Sequence, residues 1–291
     1  MKDYKIGFLS DTHLDFYITE TNPNNKKLGK QVKRFIDDLL KPEGGDILLV
    51  AGDIGHYENQ NKELLIQLSL HYNTVLFVSG NHELYLINNN HQEKYNYTSI
   101  NRLEEMREWS FNQTNIHFLE GNVININGLK IGGYGNWYDL PTDDDLTEWR
   151  EIMNDSNLIM TNHKPYIQYY GYGGRIKLTT FDTQAYRREN EKQLDKIVEE
   201  KCDILMCHII PCIIPDHLKF RGHVGNSANR FYETDDFEKV KETGCEIVVY
   251  GHDHSNKEWF LDDIEFKTNS VSYPSEVGFK QIEHFTYIKE K

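Results

Sequence analysis

Five short apolar runs in this 291-residue chain each stop abruptly at polar residues able to bind a metal ion, and that pattern limits the fold more than any other feature. Ile6-Gly7-Phe8-Leu9 gives way to Ser10-Asp11-Thr12-His13. Ile47-Leu48-Leu49-Val50 gives way to Ala51-Gly52-Asp53, and Val75-Leu76-Phe77-Val78 to Ser79-Gly80-Asn81-His82-Glu83. Ile204-Leu205-Met206-Cys207 ends at His208, and Ile247-Val248-Val249-Tyr250 at Gly251-His252-Asp253-His254. Unbroken apolar runs of this length suit strands buried on both faces. In open α/β sheets, functional side chains gather beyond the carboxyl ends of such strands.

The segments between the runs read as helices. Lys30 to Leu40 places Val32, Phe35, Ile36, Leu39 and Leu40 at helical spacing, and Pro42 ends it. Glu63 to Leu70, Ile100 to Trp109 and Glu191 to Lys201 follow the same rule. Asn127-Gly128 between Val123-Ile124-Asn125-Ile126 and Leu129-Lys130-Ile131 is a hairpin signal. Patterning therefore predicts an α/β fold with a helix-covered, mixed sheet. With no repeat, linker or shift of composition, one domain over residues 1–291 is expected.

The donors at the strand ends are imidazole nitrogens, carboxylate oxygens and one amide oxygen, with no thiolate. Such donors suit Mn, Fe, Co, Ni or Zn. A closed structural zinc site would draw on cysteine. Seven donors exceed what one tetrahedral ion needs and suit two ions sharing a carboxylate. The four cysteines form no CxxC pair and read as buried free thiols.

In combination and order, Asp11-x-His13, Gly52-Asp53, Gly80-Asn81-His82-Glu83, His208 and Gly251-His252-x-His254 resemble the signature of the calcineurin-like metallophosphoesterase superfamily. The resemblance runs from residue 5 to about residue 254, and the segment Asn269 to Glu276 extends it. It implies two mixed β-sheets packed as a sandwich and flanked by helices. It implies that Asp11, His13, Asp53 and His254 hold one divalent ion and that Asp53, Asn81, His208 and His252 hold another, with Asp53 bridging. A hydroxide bridging the ions would attack phosphorus. His82 would be the catalytic side chain beside the leaving group, with Glu83 orienting its ring. Manganese is the expected metal, with Fe, Zn, Ni or Co as alternatives.

Several positions have rival readings. His163, in Thr161-Asn162-His163-Lys164-Pro165, is the substitute for His208. Met153-Asn154-Asp155 resembles a family segment outside the metal site. His56 reads as a solvated loop residue, His217, Arg221 and His223 as parts of a surface loop within 212–230, and Tyr166 to Arg175 as a packed surface loop. Trp137, Tyr138 and Trp149 read as packing residues.

Charge narrows the substrate. Acidic residues outnumber basic ones, 46 to 32, for a formal net charge of -14. Such a surface repels polyanions, so general binding to duplex nucleic acid is not expected. Small anionic esters remain compatible, since bound cations reverse the local field. The arginines that protein phosphatases of this superfamily carry after Gly-Asp and before Gly-Asn-His-Glu are replaced here by Ile54 and Ser79. Lacking them, the chain is not expected to be a protein phosphatase; a phosphatase or phosphodiesterase for small phosphate esters, nucleotide-type or other, is expected. The alternatives are a catalytically inactive scaffold on the same fold and a nuclease. With no apolar run near the ~20 residues of a membrane helix and no signal-like N-terminus, the expected location is cytoplasmic.

Overall fold

The computed structural model describes residues 2–161, 178–219, 227–276 and 281–289. Two sheets form its centre. Sheet one runs, in spatial order, β11 (Glu283–Lys289), β1 (Lys2–Leu9), β2 (Gly45–Ala51), β3 (Tyr72–Val78) and β4 (Ile116–Phe118). Sheet two runs β5 (Asn122–Ile126), β6 (Leu129–Gly133), β7 (Ile204–Met206), β8 (Ile247–Tyr250), β10 (Ile264–Asn269) and β9 (Asn256–Leu261). The inner pairs are parallel, whereas β1–β11, β5–β6 and β9–β10 are antiparallel.

Alternation along the strands explains the layers. Ile6, Phe8, Ile47, Leu49, Leu76 and Val78 meet Ile131, Ile204, Met206 and Val249 in one buried cluster between the sheets. The intervening residues Leu48, Val50, Val75 and Phe77 turn the other way. They pack on Leu28, Val32 and Phe35 of helix α1 (Lys26–Phe35) and on Leu64, Leu65 and Leu68 of α2 (Glu58–Leu68). On the far side, Leu205 and Val248 pack on Leu194 and Ile197. Each strand is apolar on both faces because each face has a partner. Fully burying one such aliphatic side chain contributes about 1.5–3 kcal/mol. Patterning alone called for one mixed sheet. The two-sheet sandwich that the resemblance implied is the observed architecture.

Local signals set the connections. Asn127 and Gly128 both have positive φ, the geometry of a type I′ turn, and Ile126 pairs with Leu129 across it. Three helices begin earlier than their apolar spacing predicts; α2 does so without a side-chain cap, and capping starts the other two. Asn25 accepts the Lys27 N–H ahead of α1, and Thr179 and Asp182 form a capping box ahead of the helix Thr180–Glu200. α1 passes into a wider π-type turn over Ile36–Leu40 before Lys41 ends it. Among the described residues, no helix is long and apolar enough to cross a membrane. The four cysteines are buried and free. Trp137, Tyr138 and Trp149 are packed in a cluster with Phe231.

Candidate metal centre at the strand ends

The parallel strands β1, β2, β3, β7 and β8 bring their carboxyl ends to one edge of the sandwich, and all seven expected donors lie there. The chain turns sharply to present them. Thirteen described non-glycine residues have a left-handed φ, and Asp11, His13, Asp53, His252 and His254 are five of these. Backbone of this kind is costly and concentrates where a site demands it. Glycines permit the close approach. A Cβ on Gly52, whose φ is +83°, would lie 2.6 Å from His208 Nδ1, and one on Gly80 would lie 2.2 Å from an Asp53 carboxylate oxygen.

The donors form three adjoining groups: Asp11 with His13 and His254, His13 with Asp53 and His82, and Asp53 with His208 and His252. Within each group the ligand atoms lie within 4.8 Å of one another. Asn81 joins the last group, with Oδ1 3.0 Å from His208 Nε2. Asp53 Oδ2 lies 3.2 Å from His208 Nε2 and 3.8 Å from His82 Nε2. His13 and His254 face each other through Nε2 atoms 2.9 Å apart.

Hydrogen bonds on the far side of each ring decide which nitrogen faces the cluster. His208 Nδ1 lies 2.8 Å from the carbonyl of Ala51, and His252 Nε2 lies 2.9 Å from that of Phe231. A carbonyl only accepts, so these nitrogens carry protons. That leaves His208 Nε2 and His252 Nδ1 opposed at 3.2 Å beside the Asp53 carboxylate. Two ring lone pairs in that position need a positive charge between them, either a metal cation or a proton. Burial opposes a proton on His208, but Asp53 outweighs it and the ring is pushed up to about 10. His254 Nδ1 donates to Glu276 Oε2 at 2.9 Å, which directs its Nε2 inward. His13 Nδ1 is the exception, buried with no hydrogen-bond partner, while Tyr273 stacks on the ring.

The charges follow from this crowding. Burial alone would raise the Asp53 carboxyl, but His208, His82 and His13 outweigh it and hold the group well below the usual range. Burial drives His13 down to about 4. Burial, reinforced by His208, does the same to His252. Neutral His13 and His252 beside an ionised Asp53 are in the form that accepts a divalent cation, which would displace the proton on His208.

Three sequence expectations need correction. Glu83 does not hold His82. Its carboxylate accepts backbone N–H groups from Gly80 (2.7 Å), Ile54 (2.8 Å) and Asp53 (2.9 Å), clamping two donor loops together. With Gly55 N–H at 3.4 Å as a fourth, backbone donors occupy both of its oxygens. The ring is held instead by His56, whose Nε2 lies 2.9 Å from His82 Nδ1. His56 is therefore no solvated loop residue, and its Nδ1 lies 2.7 Å from Asp15 Oδ2. Burial raises the Asp15 carboxyl, but the hydrogen bond and charge of His56 outweigh it and leave the group below its usual range. Finally, Asp155 touches the cluster, with Oδ1 2.7 Å from Asn81 Nδ2. These partners are 41, 26 and 74 residues apart, and no local motif marks such pairs. His217 lies in a 3-10 turn over Asp216–Leu218. His163, Arg221, His223 and the stretch 166–175 lie outside the described residues.

A helix-flanked double sheet that gathers carboxylate, amide and imidazole donors at one edge defines a metal-dependent hydrolase of phosphate esters. The sequence matches the calcineurin-like phosphoesterases (Metallophos) over residues 4–256, and the chain belongs to that family. It is 23% identical over 284 residues to uncharacterized protein L509 of Acanthamoeba polyphaga mimivirus, which covers 93% of this chain and 92% of the viral protein. The crystal structure of phosphopantetheinyl hydrolase (PptH) from Mycobacterium tuberculosis is similar in fold, with a TM-score of 0.56 at 18% identity. That match covers 93% of this chain and 90% of the mycobacterial one.

Proposed function

We propose that this phosphoesterase uses two divalent ions and acts on small phosphate esters, monoesters or diesters. One observation carries the reading: Asp53 belongs to two of the three donor groups, between the Asp11–His13–His254 set on one side and the His208–His252 set on the other. Asp11, His13, Asp53 and His254 would hold one ion. Asp53, Asn81, His208 and His252 would hold the other. When bound, such ions neutralise phosphate charge and lower the pKa of a coordinated water. Nitrogen and oxygen donors without thiolate suit Mn, Fe, Co, Ni or Zn, and manganese is the ion proposed from the family resemblance.

His82 is the proposed catalytic residue. Its backbone N–H donates to Asp53 Oδ1 at 2.8 Å, which fixes the loop, and its Nε2 faces Asp53 Oδ2. Burial holds the ring well below its usual range. A neutral His82 acts best as a hydrogen-bond donor to the charge that develops on the leaving oxygen. For Nε2 to carry that proton, Nδ1 must accept from His56 Nε2–H. His56 then donates at both nitrogens, the second time to the Asp15 carboxylate. The surface charge of -14 supports small substrates over polyanions.

The test is metal analysis with a substrate panel on the Mn²⁺-loaded protein: p-nitrophenyl phosphate, bis-p-nitrophenyl phosphate, and 2′,3′- and 3′,5′-cyclic nucleotides. The expected result is two ions per chain and turnover that a chelator abolishes. One ion per chain at saturation, or activity confined to nucleic acid or phosphoprotein, would overturn the proposal.

A further inference from the structure

We infer that Asp155 is a positioning residue for Asn81, selecting which end of that amide faces the metals; the inference rests on the two-ion reading above. An asparagine amide can turn over by 180° with almost no change of shape, so its partners choose the orientation. Here the choice is one-sided. Asp155 is fully buried, and its carboxylate oxygens accept from all three side chains that meet them. Oδ1 takes the Asn81 Nδ2–H at 2.7 Å and the hydroxyl of Tyr85, and Oδ2 takes the hydroxyl of Tyr138 at 2.5 Å. Tyr85 and Tyr138 are themselves buried, so the acceptor is locked in place. With its NH₂ held there, Asn81 presents Oδ1, the end able to bind a metal, to His208 Nε2, which in turn lies 3.2 Å from Asp53 Oδ2.

A carboxylate buried in this way is costly unless several donors surround it. Here two of its donors are tyrosines, of which Tyr85 also accepts from Asn81 Nδ2 at 3.2 Å, and the third is Asn81 itself. The short helix Asp155–Leu158, 74 residues further along the chain, thus contributes to the centre without a ligand of its own. Partners that hold metal ligands in this manner change affinity by about 10–100-fold when removed.

The experiment is calorimetric titration with Mn²⁺ alone on the full chain, its metal first removed. It compares the natural protein with Asp155→Asn, Asn81→Asp and the double variant. Asp155→Asn is expected to weaken one of the two ions by about tenfold or more and to leave the other within about twofold. Asn81→Asp sets two carboxylates against each other and loses the same ion. In the double variant the amide at 155 donates to the carboxylate at 81, and binding returns to within a few-fold of the natural protein. A merely structural role for Asp155 gives no such rescue. Unchanged affinities in Asp155→Asn, or a double variant no better than Asn81→Asp, would overturn the inference while leaving the two-ion reading intact. Fewer than two ions in the natural protein would sink both. Tyr138→Phe removes one donor and keeps the Asn81 contact. If Asp155→Asn does not fold, a selective loss of about two- to threefold in Tyr138→Phe supports the inference, and unchanged binding rejects it.

Discussion

The two sheets bring unlike chemistry to the same edge. Sheet one supplies every oxygen donor, Asp11, Asp53 and Asn81, together with His13 and His82. Among the described residues, sheet two supplies only imidazoles, His208, His252 and His254. Their supports differ as well. The sheet-one loops are tied by side chains: Glu83 clamps Gly80 to Asp53 and Ile54, Asp155 holds Asn81, and Ser270 donates to Asp11 at 2.8 Å. The buried rings of sheet two lean on backbone carbonyls, and the one that holds His208 belongs to Ala51 of sheet one. A carbonyl cannot be removed by mutation, whereas a carboxylate can. Sensitivity to substitution behind the donors should therefore be concentrated on sheet one.

The largest effect tests the shared carboxylate. Asp53→Asn removes the charge that the two proposed ions would share, and metal content is expected to fall below one per chain, with activity down by more than about 10³-fold. His208→Ala removes a donor from one group only and should retain an ion in the other. Metal analysis of both variants decides the point. Two tight ions in Asp53→Asn would break the asymmetry between the sheets.

His82→Ala comes next. It should keep both ions and lose about 10²–10⁴-fold in kcat, with the greater loss on esters whose leaving groups are poor. Equal losses across a leaving-group series would remove His82 from the leaving side of the reaction. His56→Ala should shift the same series in the same direction by less, since His56 acts only through the His82 ring.

What was legible in the sequence follows the same division. The seven donors stand out because each comes directly after a short strand, and strand ends are local. The Asn127-Gly128 turn is local too, and it lies where its residues predict. The supports are not legible, because each is a contact between distant loops. Asp15 is an ordinary acidic residue until folding sets it against His56, and Asp155 until it meets Asn81. Glu83 misled for a related reason: adjacency to His82 suggested contact, but the turn points its carboxylate back at the backbone of the preceding loops. The assignment of strands to two sheets was also hidden. Strands buried on both faces carry no periodicity that says which layer covers which side.

The supports give a third test. Glu83→Gln replaces one accepting oxygen with an NH₂ that faces backbone N–H groups, leaving at least one buried donor unpaired. The expected loss is about 2–3 kcal/mol in urea denaturation of the metal-free protein. The matched change beside sheet two, Glu276→Gln, alters a half-exposed carboxylate and should cost under about 0.5 kcal/mol. Similar losses in the two variants would erase the proposed difference between the sheets.

A smaller effect than that of Glu83 lies in the helices over sheet one, at the Glu105 ion-pair network. Glu105, on the helix Ile100–Phe111, accepts from Lys62 at 2.5 Å, Lys94 at 2.6 Å and the Tyr95 hydroxyl at 2.8 Å. Burial raises this carboxyl, but those three partners outweigh it and hold the group down at about 2. A carboxyl whose folded pKa lies below its unfolded value stabilises the fold above the unfolded value, near 4.5, and loses that contribution as pH falls toward 2. Glu105 is still partly open to solvent, so the effect stays near the scale of a surface ion-pair network. Glu105→Gln should cost about 1 kcal/mol at pH 7, and the gap from the natural protein should close between pH 4.5 and 2. Urea denaturation across that range checks it. A gap that stayed constant through the window would mean that the glutamate holds these helices by shape and neutral hydrogen bonds rather than by charge.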